Sequence, residues 1–450
     1  MPTGENTILQ GKIFEPLIKF AIPLMISILL QALYGAVDLI VVGKFGDTSS
    51  VSAVSNGSQI MQTITQIITG LTMGVTVLIG RYVGAKDDEG AARTVGGMIK
   101  LFSTVAIILT IAIIILANKI ASIMQVPSEA ITKTVEYIRI TSAGLIFITA
   151  FNVISGLFRG LGNSKSPLLF IGIACAVNII GDLLLCGVLK MDAAGAAIAT
   201  VFAQAVSVAF SIFKIRKGGL PFEVKKRHVI KTKKSQTDIL KVGAPVALQD
   251  FLVSASFLVI MAIINDISLV ASASIGIAEK LFIFLALVPI SFMYALSAFV
   301  AQNIGAKQEK RAIIAMRMAM LVSFLFGIIT FTITCFAGDT LAGIFDKNPV
   351  VIVSTQSYLR GVSAEYLILP FLFCFLGYFN GIGKTTFVLI EGLISSFLFR
   401  IPLCYYFSHL PNTNLFTIGL SVPISTMASL TMCVVFYIFL RRKRLILHEE

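Results

Sequence analysis

Two aspartates, Asp38 and Asp182, stand inside aliphatic runs long enough to be buried in lipid. A charged side chain at the centre of a bilayer is disfavoured by roughly 2.5–3.5 kcal/mol on insertion scales, so each is a functional candidate. Asn178 precedes Asp182 by one helical turn and would share its face. Gln31, Tyr34 and Asp38 fall at helical spacing on one face of another segment. Thr200 adds a hydroxyl in a third apolar run. Two carboxylates with an amide, a hydroxyl and a phenol can take up and release a proton near neutral pH, and their oxygens suit a hard cation such as sodium. The structural alternative is that the two aspartates only cap or bond neighbouring helices, with the neutral residues acting as interhelical glue.

These side chains can meet only if the elements that carry them cross a membrane in register. The chain is 56% hydrophobic and 13% charged, with mean hydropathy +0.92. Soluble domains carry about 25% charged residues, so most of this surface must face lipid. Spanning the hydrocarbon takes about 20 apolar residues per helix, and backbone groups in lipid must be bonded within each segment. The apolar blocks are continuous and lack the alternation of a barrel strand. The expected fold is an all-α integral membrane protein with twelve transmembrane helices. They run at 16–41, 52–79, 94–117, 134–157, 164–189, 193–214, 239–264, 271–299, 312–337, 352–379, 385–408 and 415–440. The first and fifth spans run outward, and each aspartate lies about 20 residues, roughly 30 Å, from the cytoplasmic start. Thr200 lies about seven residues below the outer end of the inward-running sixth span, so all three reach one level.

Orientation follows from the loops. The amino terminus, the even-numbered connections and the tail hold about 25 Lys and Arg, against about five in the other set. This predicts a multi-pass inner (plasma) membrane protein with both termini cytoplasmic. The same topology explains the net charge of +13 without a nucleic-acid partner. The one long polar stretch, from Lys214 to Lys241, reads as a linker rich in lysine and arginine, with a lipid-headgroup or regulatory site as the alternative. The six cysteines sit in apolar blocks without CxxC spacing, and the three histidines (His228, His409, His448) lie in the linker, an outer loop and the tail. Neither a metal site, a cofactor site nor a nucleophile set is legible, which argues against an enzyme. Gly381-Ile382-Gly383-Lys384-Thr385 resembles the end of a phosphate loop, but Tyr378 occupies the required first glycine position.

The chain also repeats itself. Ile79-Gly80-Arg81-Tyr82-Val83-Gly84-Ala85-Lys86 answers to Val300-Ala301-Gln302-Asn303-Ile304-Gly305-Ala306-Lys307. Phe158-Arg159-Gly160-Leu161-Gly162-Asn163 answers to Phe379-Asn380-Gly381-Ile382-Gly383-Lys384 at the same offset. Six spans per half make a parallel repeat, the arrangement in which transporters bind substrate between halves. The expected division is a six-helix lobe at 1–214, a basic linker at 215–238 and a second six-helix lobe at 239–450. The second half does not duplicate the acidic pair. It offers Asp250, Glu279, Glu365, Glu391 and Arg400, and the heights of Glu279 and Arg400 suggest a structural ion pair.

Taken together, Gln31-Ala32-Leu33-Tyr34-Gly35-Ala36-Val37-Asp38, Val42-Gly43 to Gly46, Phe158 to Asn163, Asn178 to Asp182 and Gln302 to Ala306 resemble the multidrug and toxic compound extrusion (MATE) family. The resemblance covers essentially the whole chain. It implies a V-shaped pair of six-helix bundles that exports amphipathic, usually cationic, drugs against inward H+ or Na+ flow, with no cofactor beyond that ion. In the branch with an amino-lobe cation site (DinF-like), the carried-over ligands are Asp38, Asn178, Asp182 and Thr200, and Gln31, Tyr34 and Asn152 line the substrate cavity. Another branch uses acidic residues of the seventh and tenth spans. Here those spans offer Asp250 and Glu365, which leaves Glu279, Glu365 and Arg400 as secondary candidates. The expected partners are a small organic substrate and the bilayer, with the monomer as the functional unit. The rival within transport is a lipid-linked precursor flippase of related architecture, whose cavity should be strongly basic.

Overall fold

The computed structural model describes residues 8–230, 232–411 and 413–448; Lys231 of the basic linker lies outside them. The described residues form helices joined by short turns, with no strand among them. The first three spans are single helices, Phe14–Phe45, Thr48–Gly84 and Asp88–Ile123. The fourth is a pair, Ser128–Ala143 and Leu145–Gly160, bent by 52° about Gly144. The fifth, Lys165–Asp182, continues as a π-helical stretch, Leu183–Val188, and the sixth is Asp192–Gly218. A short helix, Lys226–Ile230, sits in the linker.

The second half repeats this order. Its seventh span is Lys233–Asn265, its eighth the pair Leu269–Leu285 and Leu287–Gly305, and its ninth Glu309–Phe336. The tenth is again a bent pair, Pro349–Val362 and Glu365–Gly381, at 51°. The eleventh runs from Thr385–Leu393 through a π-helical stretch, Ile394–Arg400, into Ile401–Ser408. The twelfth is Ser421–His448, entered through a short helix, Leu415–Gly419. Among the described residues ten helices are long and apolar enough to cross a membrane, and the two bent pairs bring the number to twelve. The helices overrun the expected spans because a helix does not stop where the hydrocarbon stops. The expected spans carried neither the two bends nor the π-helical stretches, and the eighth span adds a break at Ala286. Pro289 lies one turn further on and has no N–H to return to the preceding turn.

The internal repeat extends to backbone conformation. Lys86 and Lys307 both adopt a left-handed conformation, with φ of 56° and 57°. Gly162 and Gly383 do the same at 80° and 68°. Each pair closes a helix with matching bonds, such as Asp87 N–H to the Tyr82 carbonyl and Gln308 N–H to the Asn303 carbonyl. Repeated turns of this kind need the same residue types at the same positions, which is why the motifs stood out in the sequence.

By contact density the chain forms two compact units. One holds the described residues up to Ala247 together with Ala301–Gln308, and the other holds Leu248–Val300 and the residues from Glu309 onward. Within the first unit, the second span meets the stretch 301–308 at bare backbone. A Cβ on Gly84 would fall 1.9 Å from the Gln302 carbonyl oxygen, and one on Gly305 would fall 2.0 Å from that of Arg81. Gln302 also donates from Nε2 to the Gly160 carbonyl at 2.8 Å. At the opposite end of this unit, Lys133 Nζ donates to Asp47 at 2.8 and 2.9 Å, to Ser50 Oγ at 2.7 Å and to Asp192 at 3.2 Å. This clasp ties together the ends of the first, second, fourth and sixth spans. Lys133, with Ser50, holds the Asp47 carboxyl well below the usual carboxylate range.

Candidate functional site

The first, fifth and sixth spans of the first unit bring four of the sequence-selected residues together. Asp38 is 3% exposed, and Asn178 and Asp182 are both 0% exposed. Thr200 Oγ1 donates to Asp38 Oδ2 at 3.2 Å. Asn178 and Asp182 lie against the same carboxyl group, though without an aligned hydrogen bond. Asp182 is the last residue before the π-helical stretch of the fifth span. Such stretches widen a helix by one residue per turn and recur at functional positions.

Several atoms of this cluster have no hydrogen-bond partner among the described residues. They are Asp38 Oδ1, both carboxyl oxygens of Asp182, and Oδ1 and Nδ2 of Asn178. Each buried polar atom left unpaired is destabilising by about 1–3 kcal/mol. Four orphaned oxygens at one place therefore call for a bound proton, ion or water. The donor chemistry fits a monovalent cation. Two carboxylates and neutral oxygens supply modest charge, and among the described residues no group of three or more His, Cys, Asp or Glu side chains could hold a metal ion.

The residues expected around the cargo are placed less uniformly. Tyr34 is half-buried, and its hydroxyl donates to the backbone carbonyl of Thr200 at 3.4 Å. Gln31 is exposed on the same helix. Asn152 is buried and engaged elsewhere: Thr69 donates to its Oδ1 at 3.1 Å, and its Nδ2 donates to the Ile148 carbonyl at 2.8 Å. One residue at the cluster was not singled out from the sequence. Tyr137 of the fourth span is buried within electrostatic reach of both Asp38 and Asp182. Gly57 makes room for it, since a Cβ there would lie 2.3 Å from the Tyr137 ring. A tyrosine at a span end reads as an interfacial anchor, so neither residue alone carries a signal.

The second unit differs from its expectation in one respect. Glu279 and Arg400 form no ion pair among the described residues. Arg400 Nε instead donates to Ser425 Oγ at 3.2 Å, and its guanidinium lies 5.2 Å from the centre of the Phe257 ring. Its acidic neighbours include Glu365 and Glu391. Depth along a span fixes height but not azimuth, and the π-helical stretch that ends at Arg400 turns the side chain toward the twelfth span. Glu365 accepts from Thr426 at 3.2 Å, Glu391 accepts from Ser429, and Glu279 is half-buried.

Comparison with known proteins fits this picture. The MatE family model matches residues 23–184 and again 245–406, one match in each half of the repeat. The probable multidrug resistance protein YpnP of Bacillus subtilis is 25% identical over 442 residues, 98% of each chain. The multidrug export protein MepA of Staphylococcus haemolyticus is 25% identical over 379 residues, 83% of each chain. Among solved structures, a MATE in the bent conformation superposes with TM-score 0.91 over 99% of both chains at 22% identity. A transporter of the MOP superfamily from Pyrococcus furiosus, described as having a binding pocket of reverse polarity, gives 0.90 over 97% of both chains at 22%. With a repeated model match that spans most of its length and a helical fold shared from end to end, the chain belongs to the MatE family, whose members are transporters rather than enzymes.

Proposed function

We propose that this chain is a multidrug efflux transporter that exports amphipathic, cationic organic compounds in exchange for inward-moving H+ or Na+ by alternating access. The observation that carries the reading is the set of orphaned oxygens of Asp38, Asn178 and Asp182, buried and converging beside Thr200. The relatives described as multidrug resistance and export proteins support the cargo class. Fold alone does not choose it, since a similarly folded archaeal transporter is described by a pocket of reverse polarity and a different function. The acidic pair favours positive cargo here.

The working parts are an amino-terminal lobe at 1–214, a carboxy-terminal lobe at 239–450 and the linker between them. Thr200 links ion to cargo: its hydroxyl reaches Asp38, and its carbonyl receives the hydroxyl of Tyr34. An ion held by Asp38, Asp182 and Asn178 draws the first, fifth and sixth spans together. Pro23 lies within the first helix and removes one of its hydrogen bonds, which gives the span a place to bend. Bending narrows the cavity lined by Gln31, Tyr34 and Asn152 and expels the drug. Ion and drug then exclude each other, each weakening the other by the same factor. The test is uphill transport: purified protein in liposomes should accumulate a cationic dye against its gradient when a proton or sodium gradient is imposed. Movement that only ever runs downhill would reject exchange.

A further inference from the structure

Away from the acidic site, the linker and the third span border an open cavity of about 560 Å³, lined by Lys100, Ile230, Thr232, Lys233, Lys234 and Gln236. All six residues belong to the first compact unit. Three are lysines and none is acidic. Among the described residues, none of the three ammonium groups has a carboxylate within 4.0 Å, whereas Lys133 and Lys225 do. Three exposed like charges around one cavity raise the local potential and favour an anion among them. In its lining Thr232 is 2% exposed, and its hydroxyl accepts from Gln236 Nε2 at 2.9 Å.

The position of the cavity narrows the kind of anion. Lys100 precedes Ile107 on the third span by seven residues, roughly 10 Å along the helix. Ile107, Ile108, Ile111 and Ile115 are all exposed, as expected for the lipid-facing stripe of that span. The lysines therefore stand at the headgroup level, just beyond the apolar stripe. Two isoleucines at the same height face outward as well. Ile99 is exposed beside Lys100, and Ile230 is 72% exposed at the cavity wall. An isoleucine that exposed is out of place in a water-facing linker but suits one whose wall meets acyl chains. Cations and aliphatic side chains at one level, with the apolar stripe of the third span beginning below them, match the two halves of an anionic lipid.

We propose that this cavity is a binding site for the phosphate headgroup of an anionic phospholipid, with Lys100, Lys233 and Lys234 holding the phosphodiester and Ile99 and Ile230 packing on its acyl chains. The lipid then bridges the third span and the entry to the seventh. Each lysine near an anionic surface is worth about a fivefold gain in binding, so three together should give on the order of 100-fold.

Native mass spectrometry of the full-length protein in non-ionic detergent tests this directly. Dioleoylphosphatidylglycerol should bind as one tight adduct at least tenfold more strongly than dioleoylphosphatidylcholine. The triple variant K100Q/K233Q/K234Q should lose that preference, K100R/K233R/K234R should keep it, and R441Q/R442Q/K443Q in the tail should keep it too. On wild-type protein alone, rising NaCl should weaken phosphatidylglycerol binding and leave phosphatidylcholine unchanged, a readout that does not depend on any variant folding. An unchanged preference in the glutamine triple, or a wild-type preference that salt does not touch, overturns the site. Displacement of the lipid by an equal concentration of inorganic phosphate would overturn the lipid and leave a free-phosphate site.

Discussion

Thr200 donates its hydroxyl to Asp38 across the interface of the sixth and first spans, at 3.2 Å. Because Tyr34 binds the backbone carbonyl of the same residue, the first span grips Thr200 at two points one turn apart. Removing the hydroxyl alone separates these contacts. Thr200→Val keeps the shape and the Tyr34 bond, yet should weaken binding of the coupling ion by about 10- to 150-fold, the range for a hydrogen bond to a charged group. Thr200→Ser should stay within a few fold of wild type. Transport rate measured against ion concentration checks both; an unchanged half-saturation in Thr200→Val would take Thr200 out of the ion site.

Asp38 is buried, and its Oδ1 has no partner among the described residues, which packing alone does not explain. Asp38→Asn preserves volume and should reach the membrane at wild-type levels. It should abolish drug resistance in cells stripped of their own pumps. Full resistance at normal expression would remove Asp38 from the mechanism.

The clasp formed by Lys133, Asp47 and Asp192 gives a prediction about pH with a definite sign. Asp47 is held below the usual carboxylate range, so its contribution is present above its unfolded pKa and is lost only as pH falls through the lower folded value. Lysine ordinarily loses its proton only near pH 10.4. Neither Asp47 nor Lys133 therefore changes charge between about pH 5 and 8. Lys133→Met should lower the melting temperature of the detergent-solubilised protein by the same few degrees at both ends of that range. A loss confined to one end would mean that another group controls the clasp.

Gly84 and Gly305 permit backbone contact that no larger residue allows. Gly84→Val would put a carbon 1.9 Å from the Gln302 carbonyl oxygen, with only backbone to give way. Most of the folded protein should be lost, as judged by size-exclusion chromatography of fluorescently tagged protein. Gly172→Ala, whose Cβ meets nothing within 4 Å, should be neutral. Equal yields for both variants would contradict the close packing at Gly84.

Much of this molecule could be read before its structure. The spans were legible because lipid forces long apolar runs, and the repeat was legible because its two turns need the same residues. Asp38 and Asp182 stood out because a carboxylate is rare among aliphatic neighbours, and helical arithmetic put them level with Thr200. Azimuth was not legible. Glu279 and Arg400 were expected at one height, but Arg400 bonds Ser425 of the twelfth span instead. Tyr137 reaches the acidic pair only because Gly57, far away in sequence, leaves space for its ring. The clasp was invisible for the same reason, since its parts come from three separate stretches of the sequence.

The most direct test of coupling through this site is drug affinity of the purified protein across pH 5–8, with and without sodium, for wild type and Asp182→Asn. Wild-type affinity should fall as the coupling ion saturates its site, and the fall should equal the loss of ion affinity caused by saturating drug. Asp182→Asn should bind drug with an affinity that no longer responds to that ion. If the two proteins bind drug identically under every condition, Asp38 and Asp182 do not form the coupling site.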